Sequence, residues 1–354
     1  MLFRSTVETL PRIPRSPINS AMSVGHAAPT YGSFYDGDGQ TLQQVLLVPP
    51  GLKFGGSLYS CADDRMIITS LFRPSDRNWE SEPNREMVVW EMASGRPLLR
   101  VPELAGRIWN ATLSANGRWL ALATQISVEL WDVASGNRVS FHKRHVDSAF
   151  LELRADYCCD LAFLPDGKHL IAAHGDWTAL VWELPAETHR PSSHRMNERT
   201  WDDLASLDAR VGHDAVWAMW NEPANAVATI REHLKPARAP SVKQLAALIE
   251  DLGSKEFVKR EDAQMRLRGF GQTIEASVRD AASRATNPEQ KRRLNQLLTD
   301  WQSVASRTPD EVRAIRCVQV LERITFPEAK KLLRELAQGE PTAILTREAQ
   351  RALQ

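Results

Sequence analysis

The segment VELWDVASGNRVSF, residues 128–141, decides how the first half of the sequence is interpreted. Apolar and polar residues alternate up to Trp131 and Asp132, which is the period of a β-strand with one buried face. A Ser-Gly-Asn turn follows at 135–137, and glycine readily adopts the positive φ angle that tight turns require. A second alternating run then returns. The segment therefore predicts a β-hairpin with a Trp-Asp pair near the end of its first strand.

The hairpin belongs to a set of three similar segments. MVVWEMASGRPLLRV covers 87–101 and ALVWELPAETHR covers 179–190. Each segment is a short alternating strand that ends in tryptophan followed by an acidic residue. The tryptophans are 41 residues apart from 90 to 131, and 51 apart from 131 to 182, where we interpret the excess as an insertion around FHKRHVDSAF. The three pairs are Trp90–Glu91, Trp131–Asp132 and Trp182–Glu183.

A second motif precedes these tryptophans. LSANGRWLALA at 113–123 and FLPDGKHLIAA at 163–173 place an Asn-Gly or Asp-Gly turn between two strands, which is a strong hairpin signal. With a period of about 40 to 45 residues and Trp-Asp pairs, the first half resembles the WD40-repeat proteins. The resemblance implies four-stranded blades in which each tryptophan packs against the next sheet, and it implies a structural turn at Asp176. The Gly-His pair that usually opens such blades is missing.

The number of repeats is small. Three copies are recognisable within 39–185, and LQQVLLVP at 42–49 adds one further strand. Propellers close with about four to eight blades, so about three blades form a partial propeller with two uncovered ends. Uncovered sheet edges pair readily with other chains. We therefore expect the open ends to bind a protein partner or a second copy of the chain.

The second half of the chain has a helical period. The polar segment at 186–198 carries Pro191 and is predicted to be a linker, and 199–354 is predicted to be an α-helical domain. Capping boxes at Ser241–Gln244 and Thr308–Glu311 mark two helix starts. Short connections between helices of 10 to 16 residues favour antiparallel neighbours, in a HEAT-like stack or a small bundle.

Residues 200–354 also resemble the helical extension that ends many large bacterial WD40 proteins, through segments such as WDDLASLDARVGHDAVWAMW and LIEDLGSKEFVKREDAQMRLRGFG. This resemblance bears on architecture and implies no catalytic residue. Trp217 and Trp220 are three residues apart and share one helix face. We expect that face to be core or the contact with the propeller rather than a ligand platform.

Composition sets further bounds. The 354 residues contain 44 Lys and Arg and 44 Asp and Glu, so a zero net charge removes the simplest argument for nucleic acid or an anionic membrane surface. No apolar stretch approaches the 18 residues typical of a membrane span. Pro11, Pro14 and Pro17, together with the lack of a long apolar run, predict a disordered segment over 1–38 rather than a signal peptide. The four cysteines form no C-x-x-C pair, which favours reduced thiols in a cytoplasmic protein.

The sequence carries no recognisable catalytic motif. It contains neither a Walker-type phosphate loop nor a G-x-S-x-G segment. The HKRH run at 142–145 is predicted to lie in a loop, where its two histidines have no further metal ligand nearby in sequence. We expect no enzyme activity, cofactor or metal, and predict a non-catalytic protein-protein interaction scaffold. The alternative is a degenerate fragment of a larger multidomain WD40 signalling or enzyme protein, without activity of its own.

Overall fold

The structure is a computed structural model, and its strands precede its helices. The strand-rich part ends near Pro185 and the first helix begins at Thr200. The described residues are 22–24, 31–35, 42–48, 51–60, 65–72, 85–102, 108–124, 127–143, 158–174, 178–185, 195–302 and 307–354.

The strands pair with their sequence neighbours in four antiparallel sheets. Sheet I contains β1–β3, sheet II β4–β7, sheet III β8–β11 and sheet IV β12–β14. The strands are β1 Met22–Val24, β2 Tyr31–Tyr35, β3 Leu42–Leu47, β4 Lys53–Ser60, β5 Met66–Phe72, β6 Arg85–Glu91, β7 Arg96–Val101, β8 Ile108–Leu113, β9 Trp119–Thr124, β10 Ser127–Asp132, β11 Arg138–Lys143, β12 Cys158–Phe163, β13 His169–His174 and β14 Ala179–Glu183.

Consecutive sheets pack face to face. Strand β6 shows how: Val88 and Trp90 lie in a core shared with sheet I, and Met87 and Val89 lie in a core shared with sheet III. Alternate side chains of a strand point to opposite faces, so both faces of sheet II are buried. Sheet III is buried likewise, because Trp119 and its face pack against sheet IV. The antiparallel sheets and the helices that follow fit a partial WD40 domain followed by a helical part.

The hairpins expected from the sequence are present. Strands β10 and β11 pair with Leu130 opposite Ser140, and Gly136 has a φ of 72° in the turn between them. Strand β3 confirms the additional strand predicted at 42–49.

The prediction that 1–38 is disordered does not hold for all of this segment. Strands β1 and β2 lie inside the segment expected to be disordered, and they pair with each other and with β3 in sheet I. The strand-rich part therefore begins before residue 39. Strands of three and five residues show too little alternation to be recognised from the sequence. The other residues of this segment lie outside the described residues.

The helical part contains ten α-helices among the described residues. They are α1 Thr200–Asp203, α2 Ala209–Asn221, α3 Pro223–His233, α4 Val242–Asp251, α5 Phe257–Phe270, α6 Glu275–Arg284, α7 Pro288–Gln302, α8 Pro309–Arg323, α9 Pro327–Leu336 and α10 Ile344–Arg351, with a short 3₁₀ helix at Gly271–Ile274. Both predicted capping boxes are confirmed: the Ser241 side chain accepts from the Gln244 amide, and Thr308 accepts from the Glu311 amide.

The helices build two cores rather than one continuous stack. Helices α1–α3 and α8–α10 share one core, and α4–α7 share the other. Helix α8 packs against α2, which is distant in sequence, as well as against α9 and α10. In a HEAT-like stack each pair of helices contacts only its neighbours, so the packing order differs from the stack that we expected. Helix periodicity and loop length do not specify which non-consecutive helices meet.

The helical part also begins a few residues earlier than we predicted. The backbone amide of Met196 donates to Glu222 at 3.1 Å, and the Met196 side chain packs on the first helical core. Residues 195–198 therefore belong to the helical part, although we predicted them to be linker. Residues 186–194 lie outside the described residues.

Candidate protein-interaction surfaces

The three repeat tryptophans occupy equivalent places in the sheet stack. Trp90 of sheet II is fully buried in the core shared with sheet I, and its indole N–H donates to the Thr69 hydroxyl at 2.8 Å. Trp131 of sheet III packs on the core shared with sheet II, and Trp182 of sheet IV packs on the core shared with sheet III. Each ring thus contacts the preceding sheet, so these residues are part of the packing rather than a ligand platform.

The acidic residues that follow these tryptophans have different surroundings. Asp132 accepts from the Ser135 amide at 2.9 Å and lies 3.5 Å from the Arg118 Nε, so it stabilises its own turn. Glu183 is exposed, whereas Glu91 is buried. Asp176, expected in a structural turn, lies outside the described residues.

Glu91 joins the sheets to the helices. Arg316 of α8 is fully buried and donates to both Glu91 carboxylate oxygens, from Nε at 2.8 Å and from Nη2 at 2.7 Å. Its Nη1 donates to the carbonyl oxygens of Leu204 and Ser206. Gly212 makes room for this side chain, since a Cβ atom there would lie 1.9 Å from the Arg316 Cζ.

A second buried arginine also joins the sheets to the helices, but here the arginine belongs to the sheets and its carboxylate partners belong to the helices. Arg65, next to β5, donates to Glu348 of α10 at 2.5 Å and to Glu322 of α8 at 2.8 Å. Burial by itself lowers the pKa of Arg65, but the carboxylates of Glu348 and Glu322 outweigh burial and raise it. This guanidinium therefore stays charged, and its charge is matched by the helices that it contacts.

Three further arginines of the helical part donate to backbone carbonyl oxygens of the sheets. Arg307 donates to Met92 at 2.5 Å, Arg323 to Asn116 at 2.7 Å and Arg210 to Leu98 at 3.2 Å. We call the whole contact the seam. Its residues on the sheet side are Arg65, Glu91, Met92, Leu98 and Asn116, and those on the helix side are Arg210, Arg307, Arg316, Glu322, Arg323 and Glu348.

The seam was not predicted from the sequence. Its arginines are spread over α2, α8 and the residue before Thr308, and nothing in their spacing separates them from exposed arginines. Two features gave partial signals: Glu91 is the acidic member of a repeat pair, and Trp217 and Trp220 were expected in the core or at the contact with the propeller. A repeat residue that also meets a second domain cannot be recognised without the packing order of the helices.

Trp217 and Trp220 lie close to the seam on α2. Their rings meet edge to face with centroids 4.9 Å apart, and the Arg323 guanidinium lies 4.2 Å from the centre of the Trp220 ring. Both tryptophans line a pocket of about 230 Å³ between α2, α8 and the turn of sheet III at Asn116. The sequence placed this pair in the core or at the contact with the sheets, and the structure places it beside that contact.

Sheet IV presents an open face. In the pairing of β13 with β14, Leu170 lies opposite Trp182 and Ile171 lies opposite Val181. Leu170 and Trp182 face the core shared with sheet III, so Ile171 and Val181 face away from it. Val181 is 57% exposed. Strand β14 is also the edge of its sheet among the described strands.

No group of three or more His, Cys, Asp or Glu side chains among the described residues is placed to hold a metal ion. Cys317 is buried, and burial raises the pKa of its thiol to about 12, so the nucleophilic thiolate does not form near neutral pH. Within the same part of the chain, no helix is both long and apolar enough to cross a membrane.

Comparison with known proteins agrees with a repeat protein of the WD40 class. The chain is 29% identical to the small ribosomal subunit protein RACK1y of Oryza sativa subsp. japonica over 97 residues, which are 27% of this chain and 28% of that protein. It is 29% identical to RACK1 of Drosophila melanogaster over 103 residues, or 29% and 32% of the two chains. It is 27% identical to the Drosophila LST8 homologue over 136 residues, or 37% and 41%.

RACK1 and LST8 are WD40-repeat proteins, which supports WD40-type repeats in this chain. The chain spans less than half the length of each of these relatives. No protein-family model matches it.

Proposed function

We propose that this protein is a non-catalytic protein-interaction scaffold that acts in the cytoplasm, and that sheet IV is the surface through which it binds a partner protein. The resemblance to WD40-repeat scaffolds supports the class of function. The zero net charge disfavours nucleic acid as the partner. The choice of surface comes from the strand count of the sheets.

Among the described strands, sheet IV has one fewer than sheets II and III. In those two sheets a fourth strand, β7 or β11, pairs with the strand that carries the repeat tryptophan. In sheet IV the corresponding strand is β14, which carries Trp182, and no described strand pairs with its other edge. An extended segment of a partner that adds to β14 would complete the four-stranded pattern by backbone hydrogen bonds.

The outer face of sheet IV adds apolar contact area to that edge. Val181 is exposed there, and Ile171 beside it is half-buried. Among the described residues, the seam hydrogen bonds from the helices go to sheets II and III, and Val181 on this face of sheet IV is exposed. A partner strand on β14 would contact Val181 and bury apolar surface, which is the main favourable term in most protein association.

A charge at Val181 tests the proposal. Val181→Lys places an ammonium on the edge strand, which is how natural sheets prevent edge pairing. Val139→Lys is the matched control, since Val139 is 45% exposed on β11 of sheet III, where the tryptophan-bearing strand is already paired. Sedimentation velocity across a dilution series measures self-association, which occurs through sheet IV when no partner is present.

We expect the wild-type chain and Val139→Lys to self-associate equally, and Val181→Lys to remain monomeric. A wild-type chain that stays monomeric at every concentration, or equal self-association of both variants, would remove sheet IV as the interaction surface.

A further inference from the structure

The pocket beside the seam is a second built site, separate from sheet IV. Its walls come from three parts of the chain: the turn at Asn116 and Arg118 in sheet III, Trp217 and Trp220 on α2, and the connection from Arg323 to Phe326 between α8 and α9. The seam holds these parts together, since Arg323 donates to the carbonyl oxygens of Asn116 and Ala115. The pocket therefore exists only when the two halves of the chain are docked.

Aromatic rings form the apolar part of the pocket. The Trp217 and Trp220 rings contact each other edge to face, and Arg323 lies over the Trp220 ring, so two contacts constrain Trp220. Phe326 also lines the pocket and is 45% exposed, which makes it the most accessible of the three rings. Exposed aromatic side chains next to a preformed pocket are typical anchors of protein recognition.

The charged groups of the lining have one sign. Arg118 and Arg323 line the pocket, and its described lining contains no carboxylate. Asp132, 3.5 Å from the Arg118 Nε, offsets part of the charge of Arg118. A guanidinium group favours a carboxylate ligand, with which it forms charge-assisted hydrogen bonds.

The size of the pocket limits the ligand. The pocket has a volume of about 230 Å³. One large side chain fits this space, whereas a whole helix, with a diameter of about 10–12 Å, does not. The ligand therefore inserts a single side chain, and the main chain that carries it stays outside the pocket.

We propose that this pocket binds a short acidic peptide segment of a partner protein, with an aromatic side chain against Trp217, Trp220 and Phe326 and an adjacent carboxylate at Arg323. The site goes beyond the strand pairing at sheet IV and uses none of its residues. A single partner that reaches both sites would gain affinity from the two contacts together.

The test uses three fluorescein-labelled peptides and the full chain. The first peptide has one phenylalanine followed by two aspartates between glycines, the second replaces the aspartates with lysines, and the third replaces the phenylalanine with alanine. Fluorescence anisotropy measures their binding. We expect the first peptide to bind, with an affinity that falls as salt screens the charges, and the other two to bind at least about tenfold more weakly.

Variants locate the binding site. Phe326→Ala removes one wall of the pocket. It removes no helix cap, because the Phe326 side chain makes no capping hydrogen bond to α9. It should weaken binding of the first peptide by about tenfold. Phe257→Ala is the matched control, since Phe257 is 63% exposed on α5, which belongs to the other helical core. Arg323→Gln should reduce the preference for aspartate over lysine.

Two results would overturn the proposal: no preference for the acidic aromatic peptide, or equal binding by Phe326→Ala and Phe257→Ala. Binding that survives in Val181→Lys and fails in Phe326→Ala separates this site from sheet IV.

Discussion

Glu91→Gln is the sharpest test of how the two halves of the chain are joined. The substitution keeps the shape of the side chain and replaces one carboxylate oxygen by an amide N–H₂. Arg316 donates to both oxygens of Glu91, so one donor of Arg316 would then face another donor. Ser94 also donates to Glu91, at 2.5 Å, and would lose a charged acceptor.

The magnitude follows from burial. Arg316 is fully buried and the Glu91 side chain is 5% exposed, so removing the carboxylate leaves a positive charge in the interior without its partner. Breaking a buried ion pair in this way costs about 3–5 kcal/mol. The two carbonyl oxygens that Arg316 also contacts carry no formal charge, and they do not replace Glu91.

Glu86→Gln is the matched control on the same strand. Glu86 also accepts two hydrogen bonds from one arginine, Arg100, but the Arg100 side chain is 44% exposed. An exposed ion pair contributes about 0–1 kcal/mol. The two pairs share the strand and the two hydrogen bonds from one arginine, but the Glu91 pair is buried and joins the sheet to α8.

Urea unfolding followed by tryptophan fluorescence measures the difference. At a slope of about 3 kcal/mol per M, Glu91→Gln should lower the midpoint by about 1–2 M, whereas Glu86→Gln should lower it by a few tenths at most. Equal midpoints for the two variants would refute the reasoning, because the seam would then contribute no more than a surface ion pair.

Four further substitutions test separate parts of the structure by thermal and urea unfolding. Gly212→Ala should destabilise the protein, because the new Cβ would displace Arg316. Gly269 has open space around it, so Gly269→Ala should stabilise the protein by up to about 1 kcal/mol through the higher helix propensity of alanine. Trp131→Ala should cost about 3–5 kcal/mol through the cavity left between sheets II and III, and an unchanged midpoint would contradict the packing role of the repeat tryptophan. Thr308→Ala should cost about 1 kcal/mol through loss of the cap of α8, and no change would mean that α8 starts elsewhere.

Local patterns in the sequence predicted the elements well. The alternation before Trp131, the turn at Gly136 and the capping box at Thr308 each depend on residues a few positions apart, and each has the structure that those residues favour. The repeat of Trp90, Trp131 and Trp182 further predicted equivalent packing. Each ring contacts the preceding sheet rather than the next one that we expected, and the sequence does not specify on which side of its sheet the ring packs.

Long-range contacts were beyond the reach of these patterns. Glu91 and Arg316 are 225 residues apart, and α8 packs against α2 although α4–α7, which have a core of their own, lie between them in the sequence. Predicting the seam would have required both of these long-range contacts. The pocket at Trp217 and Trp220 forms only because the seam brings sheets and helices together. The sequence therefore predicted where these two tryptophans lie but did not predict the pocket.

Hydrogen–deuterium exchange of strand β14 tests the interaction role most directly. At low protein concentration the amides of Ala179–Glu183 that do not pair with β13 should exchange fast, because the edge of sheet IV is open. At high concentration, a second copy pairs with this edge and exchange at these amides should slow, while exchange in β10 of sheet III stays unchanged. The same exchange rates in β14 at both concentrations would contradict the claim that sheet IV binds a protein partner.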